Sequence, residues 1–216
     1  MTDKQLQQDV LRALDWEPSI DAAEIGVTVS EGVVTLKGRV RTFAEKAAAE
    51  RVVLHVFGVK ALANDLDVRL TKAAERTDSD IAQAVSAALS WNTEIPANRV
   101  TVTVSNGWVT LRGDVDWEYQ REAATRSVRY LIGVQGVSNL VAVKPHANVA
   151  DVKVKIEDAL KRSAEIDARR INVRVTDGQV TLSGNVHSWS ERDEARRAAW
   201  AAPGVKDVLD QLAIVP

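Results

Sequence analysis

Gly32-Val-Val-Thr-Leu-Lys-Gly38-Arg-Val40 returns as Gly107-Trp-Val-Thr-Leu-Arg-Gly113-Asp-Val115 and again as Gly178-Gln-Val-Thr-Leu-Ser-Gly184-Asn-Val186. The first glycines stand 75 and then 71 residues apart, the period of a small domain and longer than that of most solenoid repeats. Glu31, Asn106 and Asp177 precede them, so each copy opens with a two-residue loop suited to a type I′ hairpin turn, which needs positive φ at both positions. That turn places Ser30 opposite Val33, Val29 opposite Val34, Thr28 opposite Thr35 and Val27 opposite Leu36. The same pairing sets Val104 against Val109, Val102 against Leu111, Val175 against Val180 and Val173 against Leu182. One face of each hairpin is then apolar and the other polar, and three copies agree on the register. The second glycine of each phrase falls on the apolar face. A missing side chain there implies close approach of another backbone, expected to be a crossing helix.

Ahead of each hairpin runs an amphipathic helix: Thr2-Asp3 caps Leu6, Val10, Ala13 and Leu14; Thr77-Asp78 caps Ile81, Val85, Ala88 and Leu89; Asn148 precedes Val152, Ile156, Ala159 and Leu160. Trp16 and Trp91 follow the first two helices, with Arg162 in the third copy; as large aromatics they are expected to pack as lids over the core. A short connection through Ile20, Ile95 or Ile166 leads to the hairpin. After it a second helix spans about Phe43–Phe57, with capping-box signatures at Thr42/Glu45 and Ser188/Glu191, while Asp116 replaces the cap where Trp117 stands. Each second helix ends at a glycine followed by Val. A third strand completes each unit, carrying a polar residue (Asn64, Asn139 or Asp210) among its inward positions, where a bulge or a side-chain bond to a neighbouring loop is expected. Gly32, Gly38, Gly58, Gly107, Gly113, Gly133, Gly178, Gly184 and Gly204 are the structural glycines of this scheme. The fold class is α+β, with three tandem α-β-β-α-β units at 1–70, 77–143 and 148–216. Each unit is a three-stranded mixed sheet with two helices on one face. Trp108, Leu140, Leu209, Ala213 and Val215 interrupt the polar outer faces and are expected to serve contacts between units.

Charge is nearly balanced, 28 Lys and Arg against 30 Asp and Glu, so no global field favours nucleic acid. The basic residues of the third unit (Lys153, Lys155, Lys161, Arg162, Arg169, Arg170, Arg174) are diluted by Glu157, Asp158, Glu165 and Asp167. The chain has no cysteine, which excludes disulfides, thiolate metal sites and cysteine nucleophiles. His55, His146 and His187 show no metal-ligand spacing, and no nucleophile motif or phosphate loop is present. No apolar run approaches a membrane span, and no leader pattern opens the chain.

An α-β-β-α-β unit with Gly-x-Val-Thr-Leu-x-Gly-x-Val, a capped helix ending in Gly-Val and a Val-x-Asn-x-Val strand resembles the BON (bacterial OsmY and nodulation) domain. The resemblance covers nearly the whole chain, and the tandem arrangement is similar to osmotically inducible OsmY-type proteins. It implies a non-enzymatic module of bacterial envelope and stress proteins, without cofactor, that binds phospholipid membranes or hydrophobic ligands. OsmY-type proteins are typically periplasmic with two such domains. This chain carries three and opens without a leader, so the expectation is a cytoplasmic protein as written and a periplasmic one if the N-terminus has been trimmed. The binding candidates are aromatic and basic residues at helix starts, Trp117, Tyr119 and Arg121 in the second unit and Trp189, Arg192 and Arg196 in the third, because ring amphipathy and cations both suit an anionic phospholipid interface. The competing reading is a protein–protein scaffold or chaperone-like holdase with protein clients.

Overall fold

The computed structural model describes residues 2–144, 152–163 and 168–215. Asn148, Ile166, His146, Glu165 and Asp167, named above, lie outside them. Two compact bodies are present, residues 1–115 with 119–142 and residues 116–118 with 143–216. In chain order the first repeat comprises α1 (Asp3–Trp16), β1 (Ile25–Ser30), β2 (Val33–Val40), α2 (Phe43–Leu54) and β3 (Ala61–Val68). The second comprises α3 (Asp78–Trp91), β4 (Val100–Ser105), β5 (Trp108–Val115), α4 (Glu118–Arg129) and β6 (Gly136–Val143). The third comprises α5 (Val152–Arg162), β7 (Ile171–Thr176), β8 (Gln179–Val186), α6 (Trp189–Trp200) and β9 (Asp207–Ile214).

Each repeat is a three-stranded sheet with the middle strand of the phrase at its centre. The hairpin is antiparallel in the register derived from sequence, Val27 opposite Leu36, Val102 opposite Leu111 and Val173 opposite Leu182. The last strand joins parallel, as β3 on β2 and β9 on β8, because a helix carries the chain back over the sheet. Glu31, Asn106 and Asp177 have φ of 52°, 50° and 51°, with positive φ also at the glycine after each, so the turn is type I′ in all three copies. The start of the first helix grips that turn. Asp3 accepts hydrogen bonds from the N–H of Glu31 (2.8 Å) and Gly32 (3.1 Å), and Asp78 does the same for Asn106 and Gly107, both at 2.8 Å.

The core follows the apolar stripes. Leu6, Val10 and Leu14 of α1 and Val34, Leu36 and Val40 of β2 are buried, as are the equivalents Ile81, Val85, Leu89, Val109, Leu111 and Val115. The second glycine of the phrase does face a backbone, but it is the short 3₁₀ turn (Ala22–Glu24, Ala168–Arg170) or loop that leads into the first strand and not a crossing α-helix. A Cβ on Gly38, Gly113 or Gly184 would lie 1.9, 1.9 or 2.0 Å from the carbonyl oxygen of Glu24, Arg99 or Arg170, the residue just before the first strand. The expectation of a crossing helix is corrected accordingly: the chain itself closes over the glycine as it enters the sheet.

The second helix of the first repeat stops at Leu54, short of the expected Phe57. The N–H of His55 turns to Val52 O at 3.2 Å, tightening the last turn before Gly58, whose φ is 91°. At its start the capping box is altered. Thr42 caps Glu45 N at 3.1 Å, while the buried Glu45 carboxylate takes the N–H of Arg41 (2.8 Å) and of Asp21 (2.7 Å), tying the preceding loop to the helix. Glu191 accepts from His187 N at 2.6 Å in the same way.

Thr77 and Asp80 form a complete capping box on α3. The Thr77 hydroxyl, with its N–H second, holds the Asp80 carboxyl below the usual aspartate range. A pKa lower in the folded state contributes stability above the unfolded-state value and loses it as pH falls through the folded value. Asp80→Ala is therefore expected to lower the thermal midpoint of the second repeat at neutral pH, with the difference from wild type closing in acid. A difference that stays constant with pH would contradict this.

Candidate functional site

The most exposed aromatic residues stand where the first two helical layers end. In α1 the buried positions recur every four residues, and Trp16 lies two residues beyond Leu14, about 200° around the helix axis. It therefore points away from the core and is 88% exposed. Trp91 holds the same relation to Leu89 and is 86% exposed. The expectation that these two rings form core lids is overturned by that angle. Both helices stop at the tryptophan with an extended cap residue, Glu17 or Asn92, which fixes the ring at the rim.

Other apolar side chains gather at the same end of the first two repeats. Trp16, Val52, His55 and Val56 line one open groove of about 410 Å³ with Ala13, Glu17 and Arg51, and Phe57, next in sequence, is also exposed. In the second repeat Tyr130 and Ile132 take the positions of His55 and Phe57, and both are exposed. The third repeat has Arg162, Ala201 and Pro203 at these places. The charges around the rings are matched: Arg51 pairs with Glu17 at 3.6 Å and Arg126 with Glu94 at 2.8 Å. The Ser19 hydroxyl and N–H, with a weaker pull from Arg51, hold the Glu17 carboxyl below its ordinary range. Each tip is thus an apolar projection ringed by neutralised charge.

The residues singled out from sequence lie elsewhere. Trp117 immediately precedes α4 and is 36% exposed, and Tyr119, in the first turn, is 50% exposed. The backbone carbonyl of Arg121 accepts from Asn139 Nδ2 at 2.7 Å. In the third repeat the structure draws Trp189, Arg192 and Arg196 together around Asp210. The Arg192 guanidinium sits 4.8 Å from the Trp189 ring centre and its Nε donates to Asp210 Oδ2 at 2.7 Å, with Arg196 Nε 3.8 Å from the same oxygen. The indole N–H of Trp189 is buried and finds no acceptor among the described residues. Arg192 is therefore committed to an internal ion pair, most of its length covered.

The polar residue of the third strand makes the side-chain bond expected of it, to the second helix and not to a loop. Asn64 Nδ2 donates to Glu50 Oε2 at 3.2 Å, Asn139 Nδ2 to Thr125 Oγ1 at 2.8 Å, and Asp210 accepts from Arg192. In each case the side-chain Oδ1 accepts the N–H two residues on. These are ties that hold the helix to the sheet. Trp108 lies on the outer face of its own sheet, donating to Ser138 Oγ at 2.8 Å with its ring against Gly136, while Leu140, Leu209 and Val215 are exposed. His55 Nδ1 bonds to Arg51 O (2.7 Å), and His187 lies 3.0 Å from Arg170 Nη1. Among the described residues no group of three His, Cys, Asp or Glu is placed to hold a metal, and no helix is long and apolar enough to cross a membrane.

The BON domain family model matches residues 2–69, 77–145 and 148–216. The chain belongs to the BON domain family. Over 143 residues this BON chain is 32% identical to the osmotically-inducible protein Y of Escherichia coli (strain K12), covering 62% of this chain and 71% of that protein. Among solved structures, CdsD, a structural protein of the type III secretion system of Chlamydia trachomatis, aligns at 18% identity over 98% of this chain and 93% of that one, with a TM-score of 0.27. The PrgH periplasmic domain aligns at 10% identity over 97% and 100%, with a TM-score of 0.24. Phe57, Tyr130 and Ile132 were not legible as surface residues of this BON chain from periodicity, but each lies within three residues of the glycine that ends the second helix.

Proposed function

We propose that this BON chain is a stress-associated binding protein, acting without catalysis, that docks on phospholipid surfaces or equivalent apolar ligands through the tips at Trp16 and Trp91. The observation that carries the reading is the exposure of two tryptophans at equivalent helix ends, each accompanied by further exposed apolar side chains. Tryptophan and tyrosine favour the membrane–water boundary because ring and N–H or O–H are satisfied together there. The stress association rests on the name of the Escherichia coli relative. Trp117, Tyr119 and Arg121 supply a second contact to the headgroup region, and Arg196 a weaker one, since both it and Arg192 are already paired with acidic neighbours.

Co-sedimentation with anionic and neutral vesicles at two salt concentrations tests the reading. Because the charges at the tips are matched, binding is expected to both vesicle types with little loss at high salt. Binding to neither would sink it. Suppression of client aggregation by a chain that ignores vesicles would put the holdase reading in its place.

A further inference from the structure

The first strand of each repeat is a sheet edge, and the three repeats treat that edge differently. In the first hairpin Ser30 and Val33 flank a two-residue turn and exchange hydrogen bonds, so alternate residues Ile25, Val27 and Val29 turn their N–H and C=O away from β2. One of these outward groups is capped: Gln7 Nε2 of α1 donates to Val27 O at 2.7 Å. The third repeat carries Asn172 and Arg174 on the outward face of β7, and a charge on an edge strand discourages pairing.

The second repeat has neither device. By the same register Val100, Val102 and Val104 of β4 direct their backbone groups outward, and Ala82 occupies the α3 position of Gln7, too short to reach Val102 O. Lys4 and Leu11 of α1 are likewise replaced by Ser79 and Ser86. The side chains of Val100, Val102 and Val104 are only half-buried, whereas Ile25, Val27, Ile171 and Val173 are buried. The strand reads Val-Thr-Val-Thr-Val-Ser, uncharged and without proline.

We propose that this edge pairs with the same edge of a second copy of the chain. An antiparallel pairing about a two-fold axis through Val102 sets Val100 against Val104 and Thr101 against Thr103 of the other copy. Every outward N–H then meets a C=O, valines meet on one face and threonines on the other, and no like charges face each other. Self-complementarity of this kind selects a second copy over a partner of other sequence. Within the six-residue strand the contact pairs only residues 100–104 of each copy, below the ~1,200 Å² of stable interfaces, so the dimer is weak and concentration-dependent. The inference does not depend on the lipid reading.

Sedimentation equilibrium from the low micromolar range to the highest soluble concentration tests it. The wild-type mass is expected to rise from one chain towards two. Ala82→Gln installs the side-chain cap of the first repeat, and Thr101→Lys with Thr103→Lys sets like charges opposite each other in the pair. Both are expected to hold the mass at one chain throughout while the far-ultraviolet spectrum stays that of wild type; should the lysine variant fail to fold, Ala82→Gln alone decides. A wild-type chain that stays monomeric, or a dimer that survives Ala82→Gln, would overturn the proposal.

Discussion

Gly113→Ala is expected to remove most of the stability of the second repeat. The glycine has φ of 133°, and a Cβ would lie 1.9 Å from the Arg99 carbonyl oxygen and 3.2 Å from the Val100 Cα. The first distance is well inside contact, and the obstacle is backbone held by the hairpin, so no side chain can swing aside to relieve it. Backbone strain of about 1–3 kcal/mol adds to the displacement of that carbonyl, for a total of roughly 3–5 kcal/mol. A repeat of this size has on the order of 3–10 kcal/mol in hand. Urea unfolding should show one repeat melting early while the others persist, so the curve departs from a single transition. Gly38→Ala and Gly184→Ala should repeat the effect, because their added Cβ meets the same obstacle at 1.9 and 2.0 Å. Gly26→Ala is the control. Its Cβ would meet Lys37 O at 3.5 Å, an ordinary contact, and it should cost no more than about 1 kcal/mol. Equal behaviour of Gly26→Ala and Gly113→Ala would refute the steric account.

Replacing Trp16 and Trp91 by alanine is expected to weaken vesicle binding at least tenfold for each ring removed. Withdrawing an apolar side chain from water contributes about 1.5–3 kcal/mol, and 1.4 kcal/mol is a factor of ten in affinity. Both rings are almost wholly exposed in the free chain, so their removal leaves the core untouched and the thermal midpoint close to wild type. Trp117→Ala with Tyr119→Ala should weaken binding less, since Trp117 is only 36% exposed before any surface is met. Trp189→Ala removes a ring packed beneath Arg192 and is expected to act on stability first. Loss of binding in the Trp117/Tyr119 pair with none in the Trp16/Trp91 pair would move the site to the helix starts.

The hairpins were readable from sequence because a two-residue turn and period-two alternation fix register locally, and three copies repeat the same evidence. The close approach to Gly38 was readable as well. Its identity was not, since the carbonyl belongs to Glu24, in a short turn that no periodicity marks. For Trp16 and Trp91 the deciding information was present in the helical angle from Leu14 and Leu89, and the general tendency of large aromatics to be buried pointed the other way. Placing the aromatic and basic residues at the starts of α4 and α6 needed only local caps. That Arg192 is occupied by Asp210 depends on β9, eighteen residues further on, a tertiary fact that helix-start patterns do not encode. The Asn64, Asn139 and Asp210 ties follow the same logic: polarity at an inward strand position announced a bond, while the partner came from the helix lying across it.

The central claim, that the tips enter the lipid boundary, is tested most directly by tryptophan emission in vesicles whose acyl chains carry bromine. Wild-type emission is expected to be quenched on binding, and most of that quenching to vanish when Trp16 and Trp91 are both replaced by phenylalanine, with Trp108, Trp117, Trp189 and Trp200 still in place. Quenching that is undiminished in the double variant, or absent from the bound wild-type chain, would contradict it.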